Sequence, residues 1–387
     1  MNNLRINEGE LLDLLQELIR IESVNPTLAS DGSGEASIAK FIHSYLEKMG
    51  LEVKKQEIAP NRYNVLGILR GSGGGKSLIL NGHMDTVSLL GMKIDPLKAE
   101  YVEGKVYGRG AVDMKSGLAA MIMAVKYLLQ NRIKLAGDVI LTFVADEEYT
   151  SIGTEAIIKE YSADAAIVCE PTDLELVIAH KGFAWIKVDV LGKAAHGSLP
   201  SEGIDAIVKA GKFLAKMDQY EKSELAKKSH PLLGAPSIHA SLINGGIELS
   251  TYPDHCKIEL ERRTIPGENE ETVFGEIKSI INDLQLEDGQ FKAMFEIFFY
   301  RPALEVSKDS AIVKTVEKAR LRFLKQQTAF QGMSGWLDSA LLAAAGISTV
   351  IFGPCGAGAH GAVEYVEFAS VVDTTKILIA SIADFCQ

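Results

Sequence analysis

The sequence predicts an α/β protein in which a three-layer domain on a largely parallel sheet is interrupted by an inserted α+β domain. Three observations predict this fold. In the first half of the chain, apolar runs typical of buried strands alternate with patterns of helical spacing. Between about 178 and 295 the pattern changes to a strand, a helix and further strands. The length of 387 residues also exceeds what one compact core usually supports.

Four short apolar runs are predicted to be strands of the main sheet. They span residues 77–80, 139–144, 165–168 and 349–352. Each run leads into a segment rich in residues that can bind a metal, namely NGHMDTV, ADEE, CEP and GPCGAGAH. Ligands in open α/β sheets gather beyond the carboxyl ends of the strands. The sequence therefore predicts that these four segments converge on one site.

The inserted segment has its own predicted elements: a strand at Ala184–Val190, a helix from Gly203 to Lys216, and strands around Leu242 and Ile258. The first domain would then comprise residues 1–177 and 296–387, and the insertion residues 178–295.

Composition and charge argue against several classes of protein. A net charge of −11 disfavours nucleic acid as a partner, because phosphate binding needs clustered Lys and Arg. The longest apolar stretch, Leu118–Leu129, is interrupted by Lys126 and is too short to span a bilayer, so no membrane association is expected. The four cysteines show no disulfide or metal-site spacing, and the N-terminus is unlike a signal peptide. A cytoplasmic protein is predicted.

A histidine and an aspartate mark the end of the first predicted strand. His83 and Asp85 are two residues apart, so their side chains project to the same face of an extended chain. The Asp85 carboxylate can there accept a hydrogen bond from the imidazole, which fixes the tautomer and raises the basicity of a metal-bound histidine. The alternative is a strand-end histidine that its neighbour satisfies without any metal.

Asp113 ends the glycine-flanked segment GRGAVD, just before an Ala- and Met-rich stretch predicted to be helical. One interpretation is a helix cap, a position that Asp often occupies. The other is a carboxylate that bridges two metal ions, which two-metal hydrolases hold roughly 3.5–4 Å apart. The sequence around this residue leaves both open.

Three consecutive acids, Asp146, Glu147 and Glu148, close the apolar run VILTFVA. Unpaired carboxylates beside an apolar strand repel one another, so a bound cation accounts for their grouping. Because adjacent strand residues point to opposite sides, one glutamate can bind metal while its neighbour addresses a metal-bound water. The alternative is an acidic turn on the surface.

Glu170 follows the third strand and His360 lies in a glycine-rich loop. Each alone has a simpler interpretation, as a strand end and an exposed loop histidine. With His83, Asp113 and Glu148 they make two histidines and three carboxylates, a set that suits two Zn²⁺-like cations. Ca²⁺ and Mg²⁺ fit less well, because they prefer all-oxygen ligands. Four positive charges against three carboxylates leave one charge for a bridging hydroxide, the nucleophile of such a site.

Together, GHMDTV, GRGAVDMKSG, ADEE, CEP and GAGAHG resemble, in this order, the motifs of the M20 family of metallopeptidases. The resemblance covers essentially the whole chain. The family includes acetylornithine deacetylase, succinyl-diaminopimelate desuccinylase, aminoacylases and glutamate carboxypeptidases. The resemblance implies an amidohydrolase with two Zn²⁺ ions per subunit, for which Co²⁺ can substitute.

The resemblance also implies roles for individual residues. The metal ligands would be His83 and Glu170 for one ion, Glu148 and His360 for the other, and Asp113 for both. Glu147 would be the general base, and Asp85 would support the first site. The peptide bond between Asp113 and Met114 would be cis.

The inserted segment is similar to the family's lid and dimerisation domain, and the rest of the chain to its catalytic domain. By this resemblance His196, in AAHGS, would reach across a homodimer to stabilise an oxyanion, with Asn244 as its helper. The simpler interpretation of His196 is a turn residue. Arg263, in ELERRTIPGE, would grip a substrate carboxylate. Glu261 stands where many relatives have Asp, and the neighbouring Arg262 leaves the register of this assignment open by one residue.

The segment Ser334-Gly335-Trp336-Leu337-Asp338 only loosely matches the Gly-Thr-Asp-like core that relatives place near the substrate. Trp336 is therefore interpreted either as a pocket residue or as part of the core with Leu337 and Leu341.

These inferences predict hydrolysis of the amide bond in a small N-acyl amino acid, of the acetylornithine deacetylase type, by a hydroxide held between two metal ions. Glu147 would take the proton from that water and pass it to the leaving amine. Within the family the alternatives are a dipeptidase or carboxypeptidase acting on a short peptide, or a desuccinylase. Outside enzymes the alternative is a catalytically inactive protein that binds a small molecule, which metal-dependent release of amine would exclude.

Overall fold

The computed structural model describes residues 4–30 and 32–387. The chain divides into two compact units. The first consists of Met1–Ile178, Val306–Gln331 and Leu337–Gln387, and the second of Ala179–Glu305 and Gly332–Trp336. The inserted segment predicted at 178–295 falls in the second unit except for its first residue. Its role as a lid and dimerisation domain stays a prediction.

The strands in the described residues are, in chain order, β1 (Glu52–Ala59), β2 (Arg62–Leu69), β3 (Leu78–His83), β4 (Glu100–Val102), β5 (Lys105–Tyr107), β6 (Val139–Val144), β7 (Ala165–Val168), β8 (Leu176–His180), β9 (Gly182–Leu191), β10 (Ser237–Gly245), β11 (His255–Thr264), β12 (Lys292–Arg301), β13 (Leu304–Glu305), β14 (Phe330–Met333), β15 (Ser348–Ile351), β16 (Gly356–Ala357) and β17 (Tyr365–Glu367).

The α-helices in the same residues are α1 (Glu8–Arg20), α2 (Ala36–Lys48), α3 (Ser116–Gln130), α4 (Ile152–Glu160), α5 (Ala206–Ser223), α6 (Glu270–Glu287), α7 (Ala311–Leu324), α8 (Ser339–Ala344) and α9 (Phe368–Phe385). An irregular turn, Ala111–Lys115, precedes α3, and a short 3₁₀ turn, Leu225–Lys227, follows α5. Among these helices, none has the length and apolar character needed to cross a bilayer.

The main sheet has the strand order β1-β2-β6-β3-β7-β15-β8-β13, with β14 added beside β8. The four central strands, β6, β3, β7 and β15, are mutually parallel, whereas the strands toward both edges are antiparallel. These four are the strands predicted from the apolar runs, so the predicted α/β class with a largely parallel sheet is confirmed.

Helices cover both faces of this sheet. In β2, Val65 points into a large apolar core with α1, α2, α3, α7 and α9, whereas its neighbour Leu66 packs with Val144 and Ile157 of α4. Successive strand residues point to opposite faces. The first unit is therefore a three-layer sandwich, as predicted. A separate small sheet, β16-β17-β5-β4, lies in the same unit.

The second unit is an antiparallel sheet in the order β10-β11-β9-β12, with α5 and α6 packed on one face. Inward residues such as Ile186, Ile258 and Phe213 form its core, so burial alternates along β9 and β11. The helix predicted from Gly203 begins three residues later, at Ala206, because the Asp205 side chain accepts a hydrogen bond from the Val208 N–H and caps it.

Candidate metal centre

The predicted metal ligands meet at one edge of the main sheet. His83 is the last residue of β3, Glu148 follows β6, and Glu170 follows β7. His360 lies between the short strands β16 and β17, in the segment that follows β15. Because these strands are parallel neighbours, their carboxyl ends lie at the same edge. The topology thus places the four sequence segments together.

Two clusters share Asp113. Nε2 of His83 lies 3.1 Å from Oδ1 of Asp113 and 3.5 Å from Oε1 of Glu170. Nε2 of His360 lies 3.3 Å from the other aspartate oxygen, Oδ2, and 3.0 Å from Oε2 of Glu148. In each cluster the candidate ligand atoms lie within 4.8 Å of one another. Asp113 therefore offers one oxygen to each cluster.

The spacing fits zinc-like ions. Bonds of about 2.0–2.2 Å place two tetrahedral ligand atoms about 3.4 Å apart. The four nitrogen–oxygen separations, from 3.0 to 3.5 Å, lie close to that value. Imidazole and carboxylate ligands also suit this class of metal. The described residues thus contain a candidate site for two metal ions, although the identity of the metal stays a prediction.

The pKa values of the clustered side chains also favour a cation site. Burial raises the pKa of Glu147 and of Glu170 well above the usual range, and it also raises the pKa of Glu148. The hydrogen bond with Asp113 raises the pKa of His360 to about 10. Protons are therefore retained where several carboxylates lie together, and divalent cations would supply the same compensation.

His83 is oriented by a backbone group. Its Nδ1 donates to the backbone carbonyl of Asp85 over 2.8 Å, because a carbonyl only accepts, and its Nε2 is directed at Oδ1 of Asp113. The expected hydrogen bond to the Asp85 carboxylate is wrong, since that oxygen is 3.7 Å from Nδ1. The carboxylate instead accepts the backbone N–H groups of Glu147 and Glu148, each over 3.2 Å. Asp85 thus holds the turn that presents both glutamates.

The three consecutive acids, Asp146, Glu147 and Glu148, are held by different contacts from those predicted. Asp146 is not part of the cluster, because its carboxylate accepts hydrogen bonds from Arg62 over 2.6 Å and Asn25 over 3.1 Å. Glu147 and Glu148 lie beyond the end of β6, so strand alternation does not separate them. Instead the turn directs Oε2 of Glu148 to His360, while Oε2 of Glu147 lies 3.9 Å from Nε2 of His83.

Asp113 does not cap α3, since the residue at the N-cap is Lys115, and the peptide bond between Asp113 and Met114 is cis. A residue that the sequence analysis missed holds this segment. The buried carboxylate of Glu364 accepts hydrogen bonds from Arg109 over 2.7 Å and from the backbone N–H of Asp113 over 3.1 Å. It also accepts the N–H groups of Gly110 and Val112. An acidic residue directly after the small and apolar run Gly361-Ala362-Val363 was the available signal.

A second missed network lies around the acidic run. The Asn25 amide donates to Asp85 over 2.8 Å as well as to Asp146, and the guanidinium of Arg62 pairs with buried Glu35. No local pattern marks these residues, because each is a single polar residue in an unremarkable context.

The remaining predicted residues lie in the second unit. His196 is exposed, and its Nδ1 lies 2.8 Å from the hydroxyl of Ser198. Asn244 is exposed on the edge strand β10, opposite Lys257 of β11. Arg263 lies six residues further along β11 (263 − 257), a separation of about 20 Å at 3.3 Å per residue. One chain therefore does not bring Asn244 and Arg263 together.

The two adjacent arginines have different surroundings. The Arg262 side chain is fully buried and pairs with Glu268 over 2.7 Å and Glu276 over 2.9 Å. The Arg263 side chain is 30% exposed and pairs through Nε with Glu261 over 2.7 Å. Of the two, only Arg263 presents its guanidinium outside the core of the unit.

The segment with Trp336 crosses the boundary between the units. Trp336 belongs to the second unit, where its indole N–H donates to the carbonyl of Pro302 over 3.0 Å. Asp338 belongs to the first unit, is buried, and accepts a hydrogen bond from the Thr154 hydroxyl over 2.7 Å.

The fold and the site define the class of protein, an α/β metallohydrolase-type scaffold with a candidate two-metal centre at the carboxyl edge of its sheet. The chain belongs to peptidase family M20/M25/M40, whose model matches residues 79–384. The resemblance found in the motifs is thereby confirmed.

Relatives and solved structures agree with this assignment. The chain is 29% identical to an N-formyl-4-amino-5-aminomethyl-2-methylpyrimidine deformylase of Halalkalibacterium halodurans, over 98% of this chain and 95% of the relative. It is 27% identical to an acetylornithine deacetylase of Myxococcus xanthus, over 89% and 91% of the two chains. The structure of a Bacillus cereus aminopeptidase has the same fold, with a TM-score of 0.80 at 21% identity over 99% of this chain and 100% of that chain.

Proposed function

We propose that this M20 metallohydrolase cleaves the amide bond of a small N-acyl amino acid, in a reaction of the acetylornithine deacetylase type. The observation that carries the proposal is the pair of clusters that share Asp113. A carboxylate with one oxygen in each cluster is the arrangement that a two-metal hydrolase requires.

The residues present fit two zinc-like ions, with Co²⁺ able to substitute. One ion would be held by His83 and Glu170, the other by Glu148 and His360, with Asp113 bridging. Bound cations supply two things to an amide hydrolase: they polarise the scissile carbonyl, and they lower the pKa of water toward neutrality.

Glu147 is the proposed general base. Its carboxylate lies beside the first cluster and is the acidic group there that is not needed as a ligand. Burial raises its pKa, which lets it hold the proton that it takes from the attacking water and then give it to the leaving amine. Asp85 acts through the backbone, because it fixes the turn that carries Glu147 and Glu148.

The second unit supplies the proposed contacts to the substrate. Arg263 would pair with the substrate carboxylate, which a guanidinium binds bidentately. His196 would stabilise the developing oxyanion with help from Asn244. Since one chain holds Asn244 and Arg263 far apart, a complete set of these residues would draw on two copies of the chain.

The exposed apolar surface around β10 supports a homodimer. Leu242 and Ile243 on this edge strand are 63% and 55% exposed, and Ile247 and Leu249 in the following loop are also exposed. An uncovered edge strand with apolar side chains is a surface for pairing with another chain. Ile243→Lys should lower the molar mass in sedimentation equilibrium from two chains to one, whereas a monomeric parent would contradict the proposal.

The relatives support acyl removal and suggest a second candidate. Both the acetylornithine deacetylase and the N-formyl pyrimidine deformylase have names that describe release of an acyl group from an amine. The deformylase matches nearly the full length of both chains, so deformylation of a pyrimidine is the second candidate function. Within the family, a dipeptidase or carboxypeptidase acting on a short peptide and a desuccinylase complete the range of substrates to be tested.

The test is release of free amine by metal-stripped protein with and without added Zn²⁺ or Co²⁺. The panel contains N-acetylornithine and further N-acetyl amino acids, N-succinyl amino acids, dipeptides and the N-formyl pyrimidine. Glu147→Gln should lower turnover by about 10²–10⁴-fold. Glu17→Gln, an exposed glutamate on α1, is the matched control and should leave turnover unchanged.

Turnover that needs no metal would refute the two-metal mechanism. Folded, metal-loaded protein that releases no amine from any member of the panel would favour the inactive binding protein instead.

A further inference from the structure

One face of the sheet in the second unit carries charged residues in the middle of its strands and aromatic residues among charged ones toward one end. This is the face that α5 and α6 leave uncovered, and it carries every second residue of β9, β11 and β12. In one row across these strands, Glu259, Lys187 and Glu296 lie side by side, and Lys187 lies 3.0 Å from Glu296. Such a charged row is ordinary for a solvent-facing sheet surface.

The two rows nearest the start of β9 differ from this pattern. One row reads Arg263, Phe183, Arg301 across β11, β9 and β12, and the next reads Glu261, Trp185, Phe299. Aromatic residues thus alternate with charged ones at one end of an otherwise charged face.

The aromatic rings form one contiguous group, called here the aromatic platform and consisting of Phe183, Trp185, Phe298, Phe299 and Trp336. Ring centroids of Trp185 and Phe299 are 5.1 Å apart, those of Phe183 and Trp185 are 5.3 Å apart, and Trp336 lies 6.1 Å from Phe183. Both tryptophans of the chain belong to this group. Phe183 is buried, Trp185, Phe299 and Trp336 are half-buried, and Phe298 at the margin is 52% exposed, so the platform is not a sealed core.

Two guanidinium groups lie on the platform. The Arg263 group is 5.2 Å from the ring centre of Phe183, and the Arg301 group is 4.5 Å from that of Phe299 and 5.7 Å from that of Trp336. A guanidinium stacked on a ring can direct its N–H edge outward to bind a carboxylate. Of the two, the Arg263 side chain is 30% exposed, whereas Arg301 is only 8% exposed.

Glu261 fixes the relative position of ring and cation. Its Oε2 accepts the indole N–H of Trp185 over 3.0 Å, and its Oε1 accepts Nε–H of Arg263 over 2.7 Å. Within residues 4–30 and 32–387, the two terminal nitrogens of Arg263 have no hydrogen-bond partner. An oriented cation with a free N–H edge therefore lies next to an oriented aromatic surface.

We propose that the aromatic platform and Arg263 form a specificity site for an aromatic amino acid carrying a free carboxylate. The proposal rests on the function proposed above and names its substrate class, an N-acyl aromatic amino acid. Arg263 binds the carboxylate, and the side chain of the substrate stacks on the rings. A cationic side chain such as that of ornithine is disfavoured, because it brings no ring to stack on the platform and is repelled by the positive charge of Arg263.

Tryptophan fluorescence reports this site directly, because both tryptophans of the chain lie in it. Full-length, metal-stripped protein is titrated with N-acetylphenylalanine, N-acetylalanine, N-acetylornithine and N-acetylphenethylamine, the last of which has the ring without the carboxylate. N-Acetylphenylalanine should shift the emission and bind at least tenfold more tightly than each of the others. Equal affinity for the phenylalanine and alanine compounds, or emission that does not respond, would overturn the proposal.

Variants separate binding by the platform from a general effect on folding. Trp336→Leu should reduce the preference for phenylalanine over alanine by about tenfold, and Trp336→Phe should retain most of it. Phe274→Leu is the matched control, because Phe274 is an exposed aromatic residue of the same unit that stacks on Phe295 instead. A Trp336→Leu protein with undiminished preference, or equal losses in all three variants, would overturn the assignment.

Measuring hydrolysis separates a failure of the proposed amide hydrolase function from a failure of the proposed aromatic specificity. Tight, carboxylate-dependent binding of N-acetylphenylalanine without release of acetate from metal-loaded protein refutes the proposed function and leaves the binding site intact. Equal kcat/KM for the phenylalanine and alanine compounds supports the function and refutes the aromatic specificity.

Discussion

The metal centre of the first unit and the aromatic platform of the second are assembled in different ways. The metal centre collects His83, Glu148 and Glu170 from the ends of parallel strands, together with Asp113 and His360 from a turn and a loop. The carboxylates of Asp85 and Glu364 accept backbone hydrogen bonds that hold the turns around Glu147, Glu148 and Asp113. The platform collects residues from within antiparallel strands, and cross-strand register makes them neighbours. A strand-end site depends on topology, whereas a sheet-face site depends on register, and the two respond differently to substitution.

The largest effect is expected at the residue on which both metal clusters depend. Asp113→Asn replaces a carboxylate that has one oxygen in each cluster with a neutral amide. We expect bound metal to fall from two ions per chain to one or fewer, and kcat/KM to fall by at least about 10³-fold, which corresponds to about 4 kcal/mol. Metal content and turnover measure this.

Asp13→Asn, at an exposed position on α1, is the control and should bind two ions. An Asp113→Asn protein that retains two ions and full turnover would show that the carboxylate does not bridge them.

The sequence could predict the metal centre because three of its five ligands, His83, Glu148 and Glu170, stand in short motifs at the end of a recognisable strand. GHMD, ADEE and CEP each follow an apolar run, and parallel strands bring such ends together regardless of the intervening chain. The same reasoning predicted the three-layer fold. It misjudged local hydrogen bonding, as with Asp85 and Asp146, because the partner of a carboxylate depends on where more distant backbone groups lie.

The aromatic platform could not be predicted in this way. Phe183, Trp185 and Phe299 each fit an ordinary strand, and their proximity depends on a β-bulge between Ile297 and Phe299 that sets the register of β12 against β9. Glu261 looked like a departure from the pattern of relatives, and only its contacts with Trp185 and Arg263 give it a role.

The next largest effect concerns stability within the second unit. Arg262 and Arg263 are neighbours in sequence but face opposite sides of β11. Arg262→Met should lower the free energy of unfolding by about 3 kcal/mol, the lower end for a broken buried ion pair, because Glu268 and Glu276 lose their buried partner but keep Lys228. Arg263→Met should lower it by less than about 1 kcal/mol.

Urea unfolding measures both variants, and substrate kinetics complete the comparison. Arg263→Met should raise KM for carboxylate-bearing substrates while leaving the protein stable. If Arg263→Met destabilised the protein as much as Arg262→Met, its side chain would be part of the framework and not of a binding surface.

The free energy of unfolding is expected to depend on pH through Asp338, which lies two residues after Trp336 and belongs to the first unit. Burial raises the pKa of Asp338 to about 6, so the native state holds this proton in a range where the unfolded chain, with a pKa near 3.8, has lost it. The native state therefore binds more protons between pH 4 and 6, and stability falls as pH rises through that window. A shift of about two pKa units corresponds to about 3 kcal/mol.

Asp338→Asn lacks this titration. Between pH 4 and pH 8, the difference in unfolding free energy between variant and parent should shift by about 3 kcal/mol in favour of the variant, measured by urea unfolding of metal-stripped protein. Parallel pH profiles for the two proteins would show that Asp338 is not held protonated by its surroundings.

The smallest effect is expected from the residue that supports the metal centre without belonging to it. Glu364→Gln removes the charge that accepts the backbone N–H groups around Asp113 and pairs with Arg109. Residues that orient a metal ligand in this way typically contribute about 10–100-fold to metal affinity, or about 1.4–2.7 kcal/mol. Competition with a chelator of known affinity measures the loss.

Glu367→Gln, an exposed glutamate three residues further on, controls for the change in net charge. Among the described residues, the Glu364 carboxylate accepts hydrogen bonds from backbone N–H groups and Arg109 and from no metal ligand side chain. Turnover at saturating metal should therefore stay close to that of the parent, and a loss of turnover that excess metal does not restore would place Glu364 in the chemistry itself.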